Sequence, residues 1–189
     1  MRFILQLAVF IAVLGLSYGQ VPSLGKCPKV NVQQNFDINQ YMGRWYEMQR
    51  FFAIFQISSD CVSADYQLQD SGLVRVNNTG YSKLKRGYTT AIGTAKIMDP
   101  NEPAKLGVKF FDGQPYGDYW VLSTDYKTYS VVWSCSEVFF RTFNTQFAWI
   151  LTRDPAGISD SKRDELIKMM EDYGIKTKHF SRTNQSNCP

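Results

Sequence analysis

Histidine is nearly absent from this sequence: His179 is the one imidazole in 189 residues. Chemistry built on paired histidines is excluded, and no Ser/His/Asp or Cys/His arrangement is legible around His179, which reads as a surface or structural residue. Carboxylates such as Asp125, Asp164, Glu165 and Glu171 read as turn residues or solvated helix positions. Clustered cysteines are missing too. Cys27, Cys61, Cys135 and Cys188 lack the close CxxC spacing of a zinc site, so no metal is expected. Blocks of Lys and Arg are also lacking. The formal net charge of +4 is weak and dispersed, so nucleic acid is not an expected partner. No stretch reaches the roughly 20 apolar residues that span a bilayer. No internal repeat or low-complexity tract breaks the chain.

What the N-terminus does hold is a leader. Arg2 supplies a positive start, residues 3–16 are apolar except for Gln6, and Ser17 and Gly19 offer small side chains at a cleavage site. Residues 1–19 therefore read as a signal peptide of a secreted protein, and residues 20–189 as one domain. Four cysteines in an exported chain argue for two disulfides, with three pairings open. Sequons at Asn77-Asn78-Thr79 and Asn184-Gln185-Ser186 mark Asn77 and Asn184 as glycosylation candidates.

Short strands separated by turn signals fill residues 43–153. Val62, Ala64, Tyr66 and Leu68 alternate with Ser63, Asp65, Gln67 and Gln69. Val74 and Val76 share a face after Gly72; Leu106, Val108 and Phe110 share another after the Asp99–Pro103 turn. Residues 119–124, 128–135 and 146–152 are apolar on both faces, which predicts that something covers their outer side. Leu166, Met169, Met170 and Tyr173 recur at helical spacing between Ser159 or Ser161 and Gly174. A last short strand is expected near residues 176–182. The fold class is all-β: about eight antiparallel up-and-down strands closed into a barrel, with one C-terminal helix outside and a short ninth strand. A sandwich is the alternative.

Three motifs then stand in order: Gly43-Arg44-Trp45, Thr124-Asp125-Tyr126 and Arg153. Together, in a chain of strands with one late helix, they resemble the lipocalins. Within that family the stretches "NFDINQYMGRWYE", "EPAKLGVKFF", "YWVLSTDYKTYSVVWSC" and "FAWILTR" are similar to the branch of apolipoprotein D and the insect Lazarillo-type proteins. The resemblance implies an eight-stranded lipocalin barrel whose closed end is plugged by Trp45 under Arg153. It also implies the pairings Cys27–Cys135 and Cys61–Cys188. Ser136 and Glu137 stand where apolipoprotein D carries a further cysteine, which argues against a covalent partner.

If Cys61 and Asn77 face outward, period-2 geometry turns Val62, Ala64, Tyr66, Leu68, Val74, Val76 and Asn78 inward. The resemblance adds Leu106, Val108, Phe110, Tyr119, Val121, Val132, Phe147, Trp149 and Leu151 to the lining. The expected cavity is apolar, with Tyr66, Asn78 and Tyr119 as sparse polar groups. It suits a carrier of a fatty acid, sterol or similar lipid, with no cofactor. The rival functions are a biliverdin carrier, an interaction protein that needs no ligand, and an enzyme. The enzymatic lipocalin, a prostaglandin isomerase, uses an unpaired cysteine, and two disulfides leave none. Phe51, Phe52 and Phe55, with Phe139 and Phe140 of "EVFFRTFN", are expected to form a greasy rim for transient contact with membranes or lipoprotein particles; the alternative is that they fold inward over the mouth.

Overall fold

The computed structural model describes residues 21–53, 56, 58–138 and 140–189. The expected leader lies outside the described residues, and so do Phe55 and Phe139 of the expected rim.

Eight strands follow one another around a barrel. They are β2 (Gly43–Phe51), β3 (Ser59–Leu68), β4 (Val74–Ser82), β5 (Gly87–Ile97), β6 (Lys105–Lys109), β7 (Gly117–Thr124), β8 (Tyr129–Val138) and β9 (Phe143–Thr152). Each pairs antiparallel with the next, and β9 returns to pair with β2, so the sheet closes and the sandwich alternative falls. Two short strands are added to this ring: β1 (Val21–Leu24) lies along β9, and β10 (Phe180–Arg182) lies along the upper part of β2. The sequence pattern gives no warning of β1, a four-residue segment whose pairing partner is remote.

Two helices complete the chain. The one-turn α1 (Ile38–Tyr41) starts where the Asp37 carboxylate accepts the Asn39 and Gln40 amides. It too is unannounced by periodicity. The longer α2 (Asp160–Asp172) is capped by the Ser159 hydroxyl, which accepts the Lys162 amide at 3.2 Å. It ends at Gly174 (φ +79°), where the Gly174 and Ile175 amides donate to Glu171 and Met170 carbonyls, the bonding of a Schellman stop. Leu166 and Met170 join the same buried cluster as Val131, Trp133, Ala148 and Ile150. That cover accounts for the two-sided apolar character of β8 and β9. A 3-10 turn, Thr177–His179, leads into β10.

The disulfides are Cys27–Cys135 and Cys61–Cys188, as the resemblance implied. The first ties the N-terminal segment to β8, and the second ties the C-terminal tail to β3. At one barrel end the chain enters β2 through Gly43 at φ +90°, where a Cβ would lie 3.3 Å from an Arg153 guanidinium nitrogen. The opposite end is ringed by the β2–β3, β4–β5, β6–β7 and β8–β9 connections.

Candidate functional site

The closed end is built around Trp45, which is fully buried. Its indole nitrogen donates to the Tyr41 carbonyl at 2.9 Å, and the Arg153 guanidinium lies 3.7 Å from the ring centroid. Arg153 also donates to the carbonyls of Tyr126, Arg44, Gln40, Tyr41 and Met42, so it both shields the indole and satisfies α1's free carbonyls. The Thr124-Asp125-Tyr126 turn supports it. The Asp125 carboxylate accepts the Lys127, Thr128 and Tyr129 amides, Thr124 donates to the Tyr129 carbonyl, and the Tyr126 hydroxyl accepts the Asp37 amide.

Above this plug, strand register places the expected lining on one continuous inner wall. Ala64 sits between Trp45 and Asn78, Tyr66 opposite Val76, and Leu68 opposite Val74. Leu106 faces Tyr119, Val121 faces Val132, Val132 faces Trp149, and Leu151 faces Glu47. Val62 reaches the wall from a bulge in β3, and a Cβ on Gly80 would meet it at 3.2 Å. The lower lining, including Val76, Leu106, Val121, Val132 and Leu151, is buried. Asn78, Val108, Tyr119, Phe147 and Trp149 point the same way yet remain partly accessible. Phe110 lies at the mouth rather than deep inside, its ring so close to Gly93 that a Cβ there would meet it at 2.8 Å. Asn77 pairs with Asp65 and Ile92 on the outer face, and Asn184 is exposed.

A chain of hydroxyls crosses the floor. Tyr66 and Tyr119 hydroxyls are 2.9 Å apart, Tyr119 and Tyr41 2.9 Å, and Tyr41 and Ser130 2.9 Å. Burial pushes the Tyr41 phenol up to about 12, against the hydrogen bonds from Ser130 and Tyr119. Burial raises Tyr66 and Tyr119 as well; the Tyr41 phenol adds to both, Tyr66 adds to Tyr119, and at Tyr66 the hydrogen bond with Tyr119 works the other way. All three are therefore neutral at physiological pH. One rung up, the buried Oδ1 of Asn78 has no hydrogen-bond partner.

Sequence reasoning missed the polar group higher on the wall. β2 carries a bulge between Glu47 and Gln49, so Glu47 (opposite Leu151) and Arg50 (opposite Trp149) both face inward despite being three residues apart. Glu47, 2% exposed, accepts from Arg50, from Gln56 Nε2 at 2.8 Å and from the Thr183 hydroxyl. Arg50 donates further to Thr183 and to the Gln56 carbonyl. Glu47 was findable at two residues from Trp45; Arg50 was not, because the bulge leaves no trace in the residue pattern.

The same bulge corrects the expected rim. Phe51 lies outside the barrel wall, 1% exposed, with its ring 4.7 Å from Phe180 of β10 and 5.9 Å from His179. It is a packing residue, not a membrane contact. Phe52 is 48% exposed and Phe140 fully so, and Leu84, Phe111 and Phe143 are exposed at the same end.

Known proteins are similar to this architecture and to the sequence. A family profile described as "Lipocalin-like domain" matches residues 36–185. Apolipoprotein D of Mus musculus is 38% identical over 184 residues, covering 97% of this chain and 95% of that protein. The Lazarillo protein of Schistocerca americana is 26% identical over 186 residues, covering 98% and 86%. Among solved structures, lobster apocrustacyanin A1 superposes with a TM-score of 0.77 at 24% identity, covering 89% of this chain and 93% of that one. Insecticyanin from Manduca sexta gives 0.74 at 23% identity, covering 89% and 91%. By motif, barrel topology and near full-length similarity, the chain belongs to the lipocalin family.

Proposed function

We propose that the protein carries a small hydrophobic ligand in the barrel, in an extracellular setting that its two disulfides suit. The observation that carries this is a contrast along one wall. The lower inward residues are buried, whereas Val108, Tyr119, Phe147 and Trp149 point to the barrel axis and still touch solvent. Side chains that face an axis without being buried are what an unfilled lumen requires. Burying ~300 Å² of apolar ligand supplies roughly 7–8 kcal/mol gross. After immobilisation costs this leaves affinities on the order of micromolar. Membership among relatives named apolipoprotein D agrees with a lipid as cargo.

Protein purified under native conditions is expected to release an apolar small molecule in mass spectrometry, and its tryptophan fluorescence to change on reloading. Absence of both overturns the carrier proposal. A blue preparation would instead favour the biliverdin alternative.

Loading by transient contact with a lipid surface is supported by the exposed Phe52, Leu84, Phe111 and Phe140 at the open end, with Lys85, Arg86 and Arg141 beside them. Liposome flotation of the native chain against Phe52→Ser/Phe140→Ser tests this; equal flotation removes it.

A further inference from the structure

We propose that the barrel docks mouth first on lipid surfaces rich in anionic head groups, with the Lys83–Arg86 turn as its main electrostatic contact. This rests on the lipid-contact reading above and names the kind of surface.

Three observations converge on it. The first is an opposition of charge along the barrel axis. The four connections at the open end, residues 52–58, 83–86, 110–116 and 139–142, hold Lys83, Lys85, Arg86 and Arg141 against Asp112 alone. The three strand connections at the closed end, residues 69–73, 98–104 and 125–128, hold Asp70, Asp99, Glu102 and Asp125 against Lys127 alone. A tilted ten-residue strand such as β3 keeps the two ends about 25 Å apart, well beyond the ~8 Å Debye length at physiological salt. A charged surface therefore meets one end at a time, and an anionic one attracts the mouth and repels the closed end.

The second is where the charge is uncompensated. Lys83 pairs with Asp60 at 2.7 Å and Arg141 with Glu137 at 2.9 Å, while Asp112 lies 3.6 Å from Lys109. Lys85 and Arg86 are exposed and form no ion pair among the described residues, and the exposed Leu84 precedes them in the same turn. The third is the backbone. Arg86, Phe140 and Arg141 hold φ at +51°, +53° and +67°, the left-handed region that a Cβ disfavours and glycine fills readily. At both tips the residue present strains its turn, so its contribution lies in the side chain it displays.

A sulfated polysaccharide would use these cations but leave Phe52, Leu84, Phe111 and Phe140 in water. An anionic bilayer takes up both kinds of side chain.

The test measures sedimentation of the full secreted chain with vesicles of phosphatidylcholine, alone or with about one-third phosphatidylserine. Binding is expected to be roughly thirtyfold tighter to the anionic vesicles at physiological salt and nearly equal at about 1 M salt. Lys85→Glu/Arg86→Glu should abolish the preference while keeping the native circular dichroism. Lys127→Glu/Lys168→Glu makes the same change in net charge at the closed end and on α2, and should keep the preference. Equal loss in both double variants, or equal binding of the native chain to both vesicles, overturns the anionic assignment and leaves lipid contact standing. Binding to neither vesicle overturns both. Retention on heparin–agarose without vesicle binding assigns the turn to a sulfated polysaccharide instead.

Discussion

Arg153 joins more of the closed end than any apolar residue there. One guanidinium covers the Trp45 face and bonds carbonyls from α1, from the entry to β2 and from the Thr124–Tyr126 turn. Arg153→Ala is expected to cost about 2–4 kcal/mol in urea unfolding, and Arg153→Lys to recover less than half of it, since an ammonium cannot span those acceptors. An unchanged unfolding midpoint for Arg153→Ala would sink this account. The floor tyrosines make a pH prediction. Their phenols hold protons in the native state above the ordinary value of 10. The unfolded chain ionises first, so this stabilisation is full below about pH 10 and is lost as pH rises toward the native values. Spectrophotometric titration should leave Tyr41, Tyr66 and Tyr119 unionised at a pH where exposed tyrosines are fully ionised, until the protein unfolds. Their ionisation along with the surface set would contradict the buried hydroxyl chain.

Within β2, the bulge at Met48 decides what faces the lumen. Without the extra residue, Arg50 would point outward and Phe51 inward; with it, Arg50 pairs with Glu47 and Phe51 packs under β10. Arg50→Ala leaves Glu47 buried without its cation and is expected to cost about 3–5 kcal/mol. Adding Glu47→Gln should restore part of that loss, because the uncompensated charge is gone. Equal stability of the single and double variants in chemical denaturation would show that the pair is not coupled. The alternation in β3 and β4 made their inner faces legible from residues alone. Phe51 was expected in the rim beyond the first strand; it remains in β2 because Phe180 of β10, remote in sequence, pairs with it there.

Across the whole molecule, the C-terminal tail finishes the barrel. Thr183 reaches Glu47, Gln185 donates to the carbonyls of both Glu47 and Val62, and Cys188 is bonded to Cys61 on β3. The tail thus bridges β2 and β3 where their direct pairing, confined to Gly43–Tyr46 of β2, has ended. Replacing Cys61 and Cys188 by Ser is expected to lower stability by about 3–5 kcal/mol. It should also speed amide exchange at Phe180–Thr183 well ahead of β8 and β9. Uniform acceleration across all strands would mean that the tail has no local role.

Local chemistry written into the residues was enough for the barrel class, the inner faces of β3 and β4, the capped α2 and the plug of Trp45 under Arg153. Each depends on short-range alternation, on turn residues or on motifs whose partners resemblance supplies. The Glu47–Arg50 pair, the covered Phe51, the added β1 and the hydroxyl chain were decided only by tertiary structure. Each arises where segments remote in sequence meet, and a bulge or a distant strand there changes which way a side chain points.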